Sequence, residues 1–510
     1  MAQTTTAAGP VEGSVPEHGD ATCERWTSTR KTSDDGPPHV RDTGIAGSWV
    51  LRYALPNATL DHDLGLQGFA EPYRCFRVLS EPPDADPHVR WWGRLVSMDA
   101  RASLFLASIL TSLAPIQSTE PAGYASQGWC LHCRDVHVGL NLVYLTPGET
   151  GGTETYAREL IPELVSLSPE TTFTAFVNRE TEAVRGELGW LGDLATVTVP
   201  VAVRRRVEWV RGEQLLLPVL AHRANVDIVH SLANTGPLWG RFRRVVTIHD
   251  IHFKLVPEAH TLPMRLGMGV LVPLAAGRSD RIITDAHSTK QELREHLGVN
   301  EDRVEVIALG IGDTSRAAPV PEQQLRERFG LGERQILLCV ASKRPHKNLL
   351  RLISAVALMP ADRRPVLVIP GYSTRHDAEL EAYAATLGLT GAVRLLSWVT
   401  PGELEGLYAA CACLACPSLH EGFGLPVLEA MARGVPVACS SRGALAEVAG
   451  DAAKLFDPLS PTSIARTVLE LLDDPVAADL LAAAGRRRAA KFSWQATARA
   501  TLRVYASMLS

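Results

Sequence analysis

Two glutamates that flank a glycine-rich stretch are the residues best suited to chemistry in this sequence. Glu421 directly precedes Gly422-Phe423-Gly424, and Glu429 follows shortly after. Glycines allow the backbone to bend and bring its N–H groups close to a ligand. Pro426 suits the first turn of a helix, and the unpaired N–H donors of a helix N-terminus attract anions. We therefore expect a phosphate group to bind over this loop.

The two carboxylates narrow the choice of ligand. Ionised carboxylates repel phosphate, but they accept hydrogen bonds from hydroxyl groups. A diphosphate with hydroxyl groups at both ends is a nucleotide sugar, and Glu421 and Glu429 would contact its two ends. The alternative is that Glu421 is an exposed loop residue and Glu429 an ordinary helix-surface residue. We favour the binding site, because this motif with its second glutamate is far more restrictive than a lone pair of glycines.

The elements around the loop are also readable from the sequence. An apolar run over residues 407–416 ends at Pro417, which predicts a buried strand that stops there. A helix is expected from Pro426 until Gly434, and another strand over residues 436–439. The predicted unit is strand, glycine loop, helix, strand.

The glycine loop and the helix that follows it resemble those of a known family. His-Glu-Gly-Phe-Gly-Leu-Pro at 420–426 and Glu-Ala-Met-Ala at 429–432 resemble the donor-site signature of retaining glycosyltransferases of family 4, which have the GT-B fold. The resemblance covers about residues 137–510. It implies that the first glutamate contacts the transferred sugar, the second the ribose, and the loop the diphosphate. These roles would fall to Glu421, to Glu429, and to Gly422, Phe423, Gly424 and Leu425, respectively.

Two further segments support this resemblance. Gly151 and Gly152 follow a predicted strand and precede an amphipathic helix, as does a Gly-Gly loop of the family that approaches the donor. His249 lies in Thr-Ile-His-Asp, which resembles a family run whose histidine lies at the reacting sugar. A structural, hydrogen-bonded histidine is the alternative for His249. Near the following strand, Ser288 is expected to cap a helix.

Three cations follow the strand predicted at residues 336–341. Lys343, Arg344 and Lys347 suit the charge of a diphosphate, and the alternative is an exposed loop with salt bridges. Lys347 matches the family's lysine near a helix start. The family's arginine is expected at position 341 or 342, where this sequence has none. Whether Lys343 or Arg344 replaces it therefore stays open.

Composition excludes some classes of protein. Hydrophobic residues make up 46% of the 510 residues, which is enough for sizeable cores, and the formal net charge of −5 does not suggest a nucleic-acid partner. Nine cysteines form no even framework of the secreted type, so a reducing, cytoplasmic setting is expected. Cys130 and Cys133 lack a second pair at metal-ligand spacing, and we predict no metal site.

The predicted fold class is α/β, with two Rossmann-like domains that face a central cleft. Residues 1–135 show only broken apolar periodicity and are expected to be a largely disordered extension, either a true leader or sequence upstream of the natural start. Beyond them, strands alternate with helices, which predicts parallel sheets covered on both faces. We expect an acceptor domain at 136–316, a nucleotide-sugar domain at 317–480, and a final helix at 481–510 that crosses back to the first domain.

The function expected from the loop and the resemblance is transfer of a glycosyl group from a nucleoside-diphosphate sugar to a hydroxyl group of a glycan or glycolipid. The resemblance implies retention of anomeric configuration and a mannosyl- or glucosyltransferase. Neither a metal nor a further cofactor is expected. His249, Glu421 and Lys347 are the predicted catalytic residues. A nucleotide-sugar epimerase and a catalytically silent nucleotide-sugar-binding protein are the alternatives. A nicotinamide dehydrogenase is disfavoured, because no strand precedes the dinucleotide glycine fingerprint.

The apolar runs of the sequence bear on contact with a membrane. No run reaches the roughly 18 to 20 apolar residues that a spanning helix needs. The apolar segment 262–276, which carries Arg265, would either pack in the core, which we favour, or touch a lipid surface. The predicted location is the cytoplasm, with peripheral attachment to the inner face of the membrane as the alternative.

Overall fold

The structure is a computed structural model that describes residues 136–312 and 317–509, together with two short strands near the N-terminus. Those strands, β1 (Ser48–Leu51) and β2 (Phe76–Leu79), pair antiparallel. The chain divides into two compact units, Met1–Gln127 and Gly128–Ser510. The other predictions for residues 1–135, including the one for Cys130 and Cys133, lie outside the described residues.

The first α/β domain is built on a seven-stranded parallel sheet with the order β5-β4-β3-β6-β7-β8-β9. Its strands are β3 (His137–Leu142), β4 (Thr172–Val177), β5 (Ala195–Thr198), β6 (Ile228–Ser231), β7 (Arg243–Thr247), β8 (Arg281–Thr284) and β9 (Val304–Val306). The central strands are buried along nearly their whole length, as expected for a parallel sheet covered on both faces.

Helices and helical turns lie in the connections between these parallel strands. They are α1 (Gly152–Leu167), α2 (Arg179–Ala183), α3 (Arg206–Arg211), α4 (Leu217–Arg223), α5 (His252–Leu255), α6 (Leu262–Arg278) and α7 (His287–Leu297). A π-helical turn, Gly212–Leu216, joins α3 to α4, and 3-10 turns lie at Arg185–Glu187, Pro257–Ala259 and Glu301–Arg303. Helix α1 buries Leu160, Ile161 and Leu164 on one side, which agrees with its amphipathic sequence.

The second α/β domain has a six-stranded parallel sheet with the order β12-β11-β10-β13-β14-β15. The strands are β10 (Ile336–Leu338), β11 (Val366–Pro370), β12 (Val393–Leu396), β13 (Cys413–Cys416), β14 (Val437–Ser440) and β15 (Lys454–Phe456). Cys413, Cys416 and Cys439 are buried free thiols in this sheet, where they pack as small apolar side chains.

The helices that follow complete the described chain. They are α8 (Glu322–Phe329), α9 (Leu349–Leu358), α10 (Asp377–Thr386), α11 (Pro401–Ala410), α12 (Leu425–Arg433), α13 (Gly443–Ala449), α14 (Pro461–Asp473), α15 (Pro475–Ala489) and α16 (Trp494–Leu509), with a 3-10 turn at Pro345–Lys347. Helix α11 begins with a capping box, in which Thr400 and Glu403 satisfy each other's backbone N–H groups.

Helix α16 lies on the first domain, although it is the last helix described. The ring centroids of Trp494 and Tyr156 are 6.0 Å apart, and the Tyr505 hydroxyl lies 2.6 Å from Nδ1 of His230. Thr497 donates a hydrogen bond to the carbonyl of Ala308. The chain therefore returns from the second sheet to the α1 side of the first.

The start of α7 differs from the prediction that Ser288 caps it. The helix begins at His287, so Ser288 already lies inside the first turn. The carboxylate of Glu447, from α13, accepts hydrogen bonds from the backbone N–H groups of His287 and Ser288, at 2.9 and 3.2 Å. A carboxylate from the other domain thus takes the place of the expected local cap.

Helix α6 contains the apolar segment for which core packing was favoured. Val272, Ala275 and Ala276 are buried, whereas Leu262 at the start of the helix is 57% exposed. The second half of α6 therefore packs in the core. Among the described residues, no helix combines the length and the apolar character that crossing a membrane requires.

Candidate active site

The glycine loop joins β13 to α12 and leaves several backbone donors unused. Gly424 is the N-cap of α12 and has a φ of 113°, a conformation that favours glycine. In the part of the chain that the structure describes, the N–H groups of Gly422, Phe423 and Leu425 have no hydrogen-bond partner. The Phe423 side chain is buried, 6.0 Å from the ring of Phe492. The loop is thus anchored in the core and offers free N–H groups at a helix N-terminus, where an anion is favoured.

Gly422 also lies against the first domain. A Cβ atom at this position would be 2.2 Å from the carbonyl oxygen of His249, which follows β7. No real Cβ atom tolerates such a distance, so only glycine allows this approach without a shift of the backbone. The loop that carries Glu421 therefore lies at the junction of the two domains.

Glu421 and Lys347 form a largely buried ion pair beside the loop. Lys347 Nζ donates to Oε1 of Glu421 at 2.6 Å, and Ser418 Oγ donates to the same oxygen at 2.6 Å. Burial alone would raise the pKa of Glu421, but Lys347 and Ser418 outweigh burial and the net pKa is lowered. The pKa of Lys347 is raised, because Glu421 outweighs the effect of burial. Both groups are held in their charged forms, and Oε2 of Glu421 has no hydrogen-bond partner among the described residues.

Glu429 lies on α12 and is oriented by a phenol. Tyr408 donates to its Oε2 at 3.0 Å, and the Arg433 guanidinium lies 4.6 Å from the centre of the Tyr408 ring. Burial raises the pKa of Glu429, although Arg433 and Tyr408 act in the opposite direction. Oε1 of Glu429 has no hydrogen-bond partner among the described residues. This carboxyl group can therefore accept a hydrogen bond from a ligand hydroxyl.

Of the three predicted cations, Lys343 is bound to backbone carbonyls and is not available to a ligand at the glycine loop. Lys343 is buried, and its ammonium donates to the carbonyls of Gly371 and Leu396 at the carboxyl ends of β11 and β12. Burial lowers the pKa of Lys343. Arg344 is exposed, and its guanidinium has no hydrogen-bond or ion-pair partner in the described residues. Lys347 and Arg344 are therefore the cations that remain available to a diphosphate.

His249 lies at the domain junction, but both of its ring nitrogens are already engaged. Nδ1 is 2.7 Å from Oδ2 of Asp285, and Nε2 is 2.9 Å from the carbonyl oxygen of Leu232. Burial lowers the pKa of His249, but Asp285 outweighs burial and the net pKa is raised. The backbone N–H of His249 donates to Asn234. An imidazolium satisfies both acceptors, so the ring is fixed in place and is poorly suited to accept a proton.

The Gly-Gly loop of the first domain also reaches the second. Gly151 is the N-cap of α1 with a φ of 71°, and Gly152 is the first residue of the helix. The hydroxyl of Tyr372, which follows β11, donates to the carbonyl of Gly148 in the same loop at 2.6 Å. Two helix N-termini, those of α1 and α12, thus follow glycine loops that each contact the opposite domain.

Several residues at the site were not predicted from the sequence. Asp285 follows β8 at the edge of the sheet where His249 lies, so its place at a strand end was a usable signal. Ser418 lies three residues before Glu421, which is compatible with a local hydrogen bond. Tyr408 and Glu292 gave no signal, because their contacts with the site depend on helix packing.

A metal site is not evident in the described part of the chain, where no three or more metal-binding side chains are arranged to hold an ion.

Comparison with known proteins identifies the family. Residues 321–488 match the model described as glycosyl transferases group 1, and residues 150–315 match the one described as Glycosyltransferase Family 4. O-antigen chain mannosyltransferase B of Escherichia coli is 30% identical over 266 residues, which make up 52% of this chain and 70% of that protein. The chain belongs to the group 1 glycosyltransferases. The predicted enzyme class is confirmed.

Other relatives match this glycosyltransferase over a smaller share of their length. MMP alpha-(1->4)-mannosyltransferase of Mycolicibacterium hassiacum is 31% identical over 228 residues, 44% of this chain and 53% of the relative. D-inositol 3-phosphate glycosyltransferase of Thermobispora bispora is 33% identical over 243 residues, 45% of this chain and 56% of the relative. The match spans about half the length of these two proteins.

Solved structures show the same fold. A glycosyltransferase from Rickettsia africae has a TM-score of 0.59 at 17% identity and covers 74% of this chain and 100% of its own. Sucrose-phosphate synthase from Thermosynechococcus elongatus has a TM-score of 0.59 at 20% identity, with 73% and 99% covered. Anabaena HepE, in complex with UDP and glucose, has a TM-score of 0.58 at 18% identity, with 73% and 100% covered. The glycosyltransferase therefore has the GT-B fold, as predicted.

Proposed function

We propose that this glycosyltransferase moves a hexosyl group from a nucleoside-diphosphate sugar to a hydroxyl group, with retention of configuration and without a metal ion or other cofactor. The observation that carries the proposal is the buried Lys347–Glu421 ion pair next to the unused N–H groups of the glycine loop. This arrangement combines positive charge for a diphosphate with a carboxylate for a sugar hydroxyl.

The leaving diphosphate is the group that most needs stabilisation. Negative charge develops on it as its bond to the sugar breaks, and preorganised donors stabilise such charge. The N–H groups of residues 422–425 and the Lys347 ammonium would supply these donors, with exposed Arg344 nearby in sequence. An ammonium has three N–H donors, so Lys347 can hold Glu421 and still donate to phosphate.

The two glutamates would orient the donor from its two ends. The free Oε2 of Glu421 would accept a hydrogen bond from a hydroxyl of the transferred sugar, and the free Oε1 of Glu429 one from the ribose. Tyr408 holds Glu429, and Lys347 with Ser418 holds Glu421, so both carboxyl groups are preorganised.

Retention would follow from reaction on one face of the sugar. Glu421 is a weak base, because Lys347 and Ser418 lower its pKa, and the His249 ring nitrogens already face Asp285 and Leu232. The acceptor's proton would therefore pass to an oxygen of the leaving phosphate. In that step the acceptor oxygen forms a bond to the anomeric carbon, and the bond between the anomeric carbon and the bridging phosphate oxygen breaks. The nucleoside diphosphate leaves with the proton.

The relatives support a class of sugar and a class of acceptor for this proposal. Their printed names include mannosyltransferases and a D-inositol 3-phosphate glycosyltransferase, and one solved structure holds UDP and glucose. We propose a mannosyl or glucosyl donor and a glycan or glycolipid acceptor. Reaction in the cytoplasm, with the exposed start of α6 near a membrane surface, fits such an acceptor.

Replacement of Lys347 by alanine tests the proposal. The wild-type protein is incubated with a panel that includes GDP-mannose and UDP-glucose, with candidate acceptors, and released nucleoside diphosphate and glycoside are measured. We expect Lys347→Ala to reduce kcat by about 100-fold, the usual effect of removing one oxyanion donor. Lys454→Ala is the control, because Lys454 is exposed and pairs with Glu470 away from the loop.

Each contrary result has a definite meaning. Near-normal turnover of Lys347→Ala would contradict the role given to this residue. Conversion of the donor without any acceptor would indicate an epimerase. Donor binding without release of nucleoside diphosphate, with any acceptor, would indicate a catalytically silent binding protein.

A further inference from the structure

An ion pair between the two domains lies next to the loop glutamate. His420 is the residue directly before Glu421, and Glu292 lies on α7 of the first domain. Nε2 of His420 is 2.6 Å from Oε1 of Glu292, and the two side chains are only 13% and 17% exposed. The proposed function gives no role to either residue.

Two further histidines belong to the same junction. The ring of His252, from α5, lies edge-on to His420, and it also packs at a tilt against His346 of the second domain; both centroid distances are 4.8 Å. The backbone N–H of Leu419 donates to the carbonyl of His346 at 2.8 Å. The segment that leads to Glu421 is therefore held by the 345–347 turn on one side and by α5 and α7 on the other.

This junction carries an electrostatic cost. Nε2 of His252, Nδ1 of His346, Nδ1 of His420 and Oε2 of Glu292 are buried without hydrogen-bond partners. Burial lowers the pKa of His346 to about 3 and also lowers that of His252, so both rings are neutral near pH 7. Burial also acts to lower the pKa of His420, but Glu292 outweighs it and the net pKa is raised. Unpaired buried polar atoms disfavour the contact, and the Glu292–His420 pair is a polar interaction at the same place that offsets them.

We propose that Glu292 is a positioning residue, whose ion pair with protonated His420 holds the loop of Glu421 in its reactive place and couples that place to the approach of the two domains. The inference rests on the proposed function for the role of Glu421. In this role Glu292 acts through its contact with His420.

The direction of the pH effect follows from the groups that face His420. They are Glu292 from α7, Asp250 and His252 from the segment after β7, and Glu421 from its own loop. A histidine whose pKa is raised in the folded state contributes fully below its ordinary value of 6.5, and this contribution is lost as the pH rises through the raised pKa. Donor affinity should therefore fall as the pH rises through that value.

Glu292→Gln tests the inference, because it keeps the size of the side chain and removes its charge. In the full-length protein, we expect three changes. The NMR titration of the His420 ring shifts to lower pH, amide hydrogen exchange over residues 418–425 becomes faster without any ligand, and kcat/KM falls about tenfold below the raised pKa of His420. The loss of activity that we expect for the wild type at higher pH should become flatter in the variant.

Two further variants make the test specific. Glu295→Gln changes an exposed carboxylate on the same helix and should alter none of these properties. His420→Gln should show the same loss as Glu292→Gln, and the double variant should be no worse than either single one, because the two residues act as a pair. If Glu292→Gln leaves the His420 titration, the loop exchange and the pH profile unchanged, the inference is wrong.

The same measurements separate this inference from the proposed function. If the wild type converts neither GDP-mannose nor UDP-glucose nor any other donor of the panel, the proposed function fails. The titration and the loop exchange still decide whether Glu292 positions the loop. Normal transfer by the wild type with an unaltered Glu292→Gln variant would remove the inference and leave the proposed function in place.

Discussion

At the scale of single residues, Gly422 is a position at the domain junction where the neighbouring backbone leaves no room for a side chain. A Cβ atom there would meet the carbonyl oxygen of His249 at 2.2 Å. We predict that Gly422→Ala forces the loop or the β7 end to move, and misplacement of about 1 Å at a reacting group can cost about 100-fold in rate. The measurement is kcat/KM with the active donor, together with the thermal midpoint.

Gly269→Ala provides the matched control. Gly269 lies in α6, where an added Cβ has nothing within 4 Å. This variant should keep its activity and be equally or slightly more stable, because alanine is the better helix former. Wild-type activity of Gly422→Ala would show that the approach of the two domains at this point is not needed for catalysis.

The residue scale also shows where sequence reasoning was limited. The cluster of Lys343, Arg344 and Lys347 was visible, but the sequence does not say which ammonium the backbone buries. The structure gives Lys343 to two strand-end carbonyls and Lys347 to Glu421. For His249, the resemblance of the Thr-Ile-His-Asp run predicted a place at the reacting sugar. The sequence did not predict its hydrogen bonds to Asp285 and Leu232, because these depend on three different strands. Charge type was readable, whereas partner choice was not.

At the scale of secondary structure, α11 offers a direct test of its cap. Thr400 Oγ1 accepts from the backbone N–H of Glu403, and Glu403 accepts in turn from the N–H of Thr400. Thr400→Ala removes one half of this box and should lower the free energy of unfolding by about 1 kcal/mol. Urea denaturation followed by circular dichroism measures the change.

Thr462→Ala is the comparison for this substitution. Thr462 is exposed in the first turn of α14, and no side-chain hydrogen bond is described for it. Equal effects of the two variants would mean that loss of the threonine methyl or hydroxyl, rather than loss of the cap, determines the result.

Element prediction succeeded where the signal was local. The strand before Pro417 and the helix that ends before Gly434 were both inferred from neighbouring residues. The start of α7 could not, because the groups of its first turn are satisfied by Glu447, about 160 residues later in the chain. A contact between two domains overrides the local preference of Ser288 for a cap.

At the scale of the whole molecule, the return of α16 to the first domain predicts a stability effect. Burial lowers the pKa of His230 to about 3, so this ring is neutral, and its nitrogens contact Tyr505 and Thr247 at 2.6 and 2.8 Å. Tyr505→Phe would leave Nδ1 of His230 buried without a partner, at a cost of about 1–3 kcal/mol. We expect a lower unfolding midpoint in urea.

A second tyrosine calibrates this result. The Tyr383 hydroxyl lies 2.7 Å from Ser354 Oγ in a partly exposed place, where water can replace the lost bond. Tyr383→Phe should therefore have a smaller effect. If Tyr505→Phe is no less stable than Tyr383→Phe, the contact of α16 with His230 does not contribute to stability.

The overall architecture was predictable because alternation of strands and helices leaves few arrangements for a parallel sheet. What the sequence did not reveal is how the two sheets meet. The Glu292–His420 pair and the Tyr372–Gly148 contact join residues that are 128 and 224 positions apart. No periodic pattern relates such residues, and only the packed chain brings them together.

The path of α16 has a consequence for synthesis of the protein on the ribosome. Trp494, Val504 and Tyr505 belong to the same buried cluster as Tyr156 and Leu160 of α1. Tyr156 and Leu160 are translated early in the first domain. Part of their apolar surface is therefore covered only by residues that are translated more than 300 positions later. We expect a nascent chain to remain dependent on chaperones until translation has passed α16, even though every strand of that sheet has long since emerged.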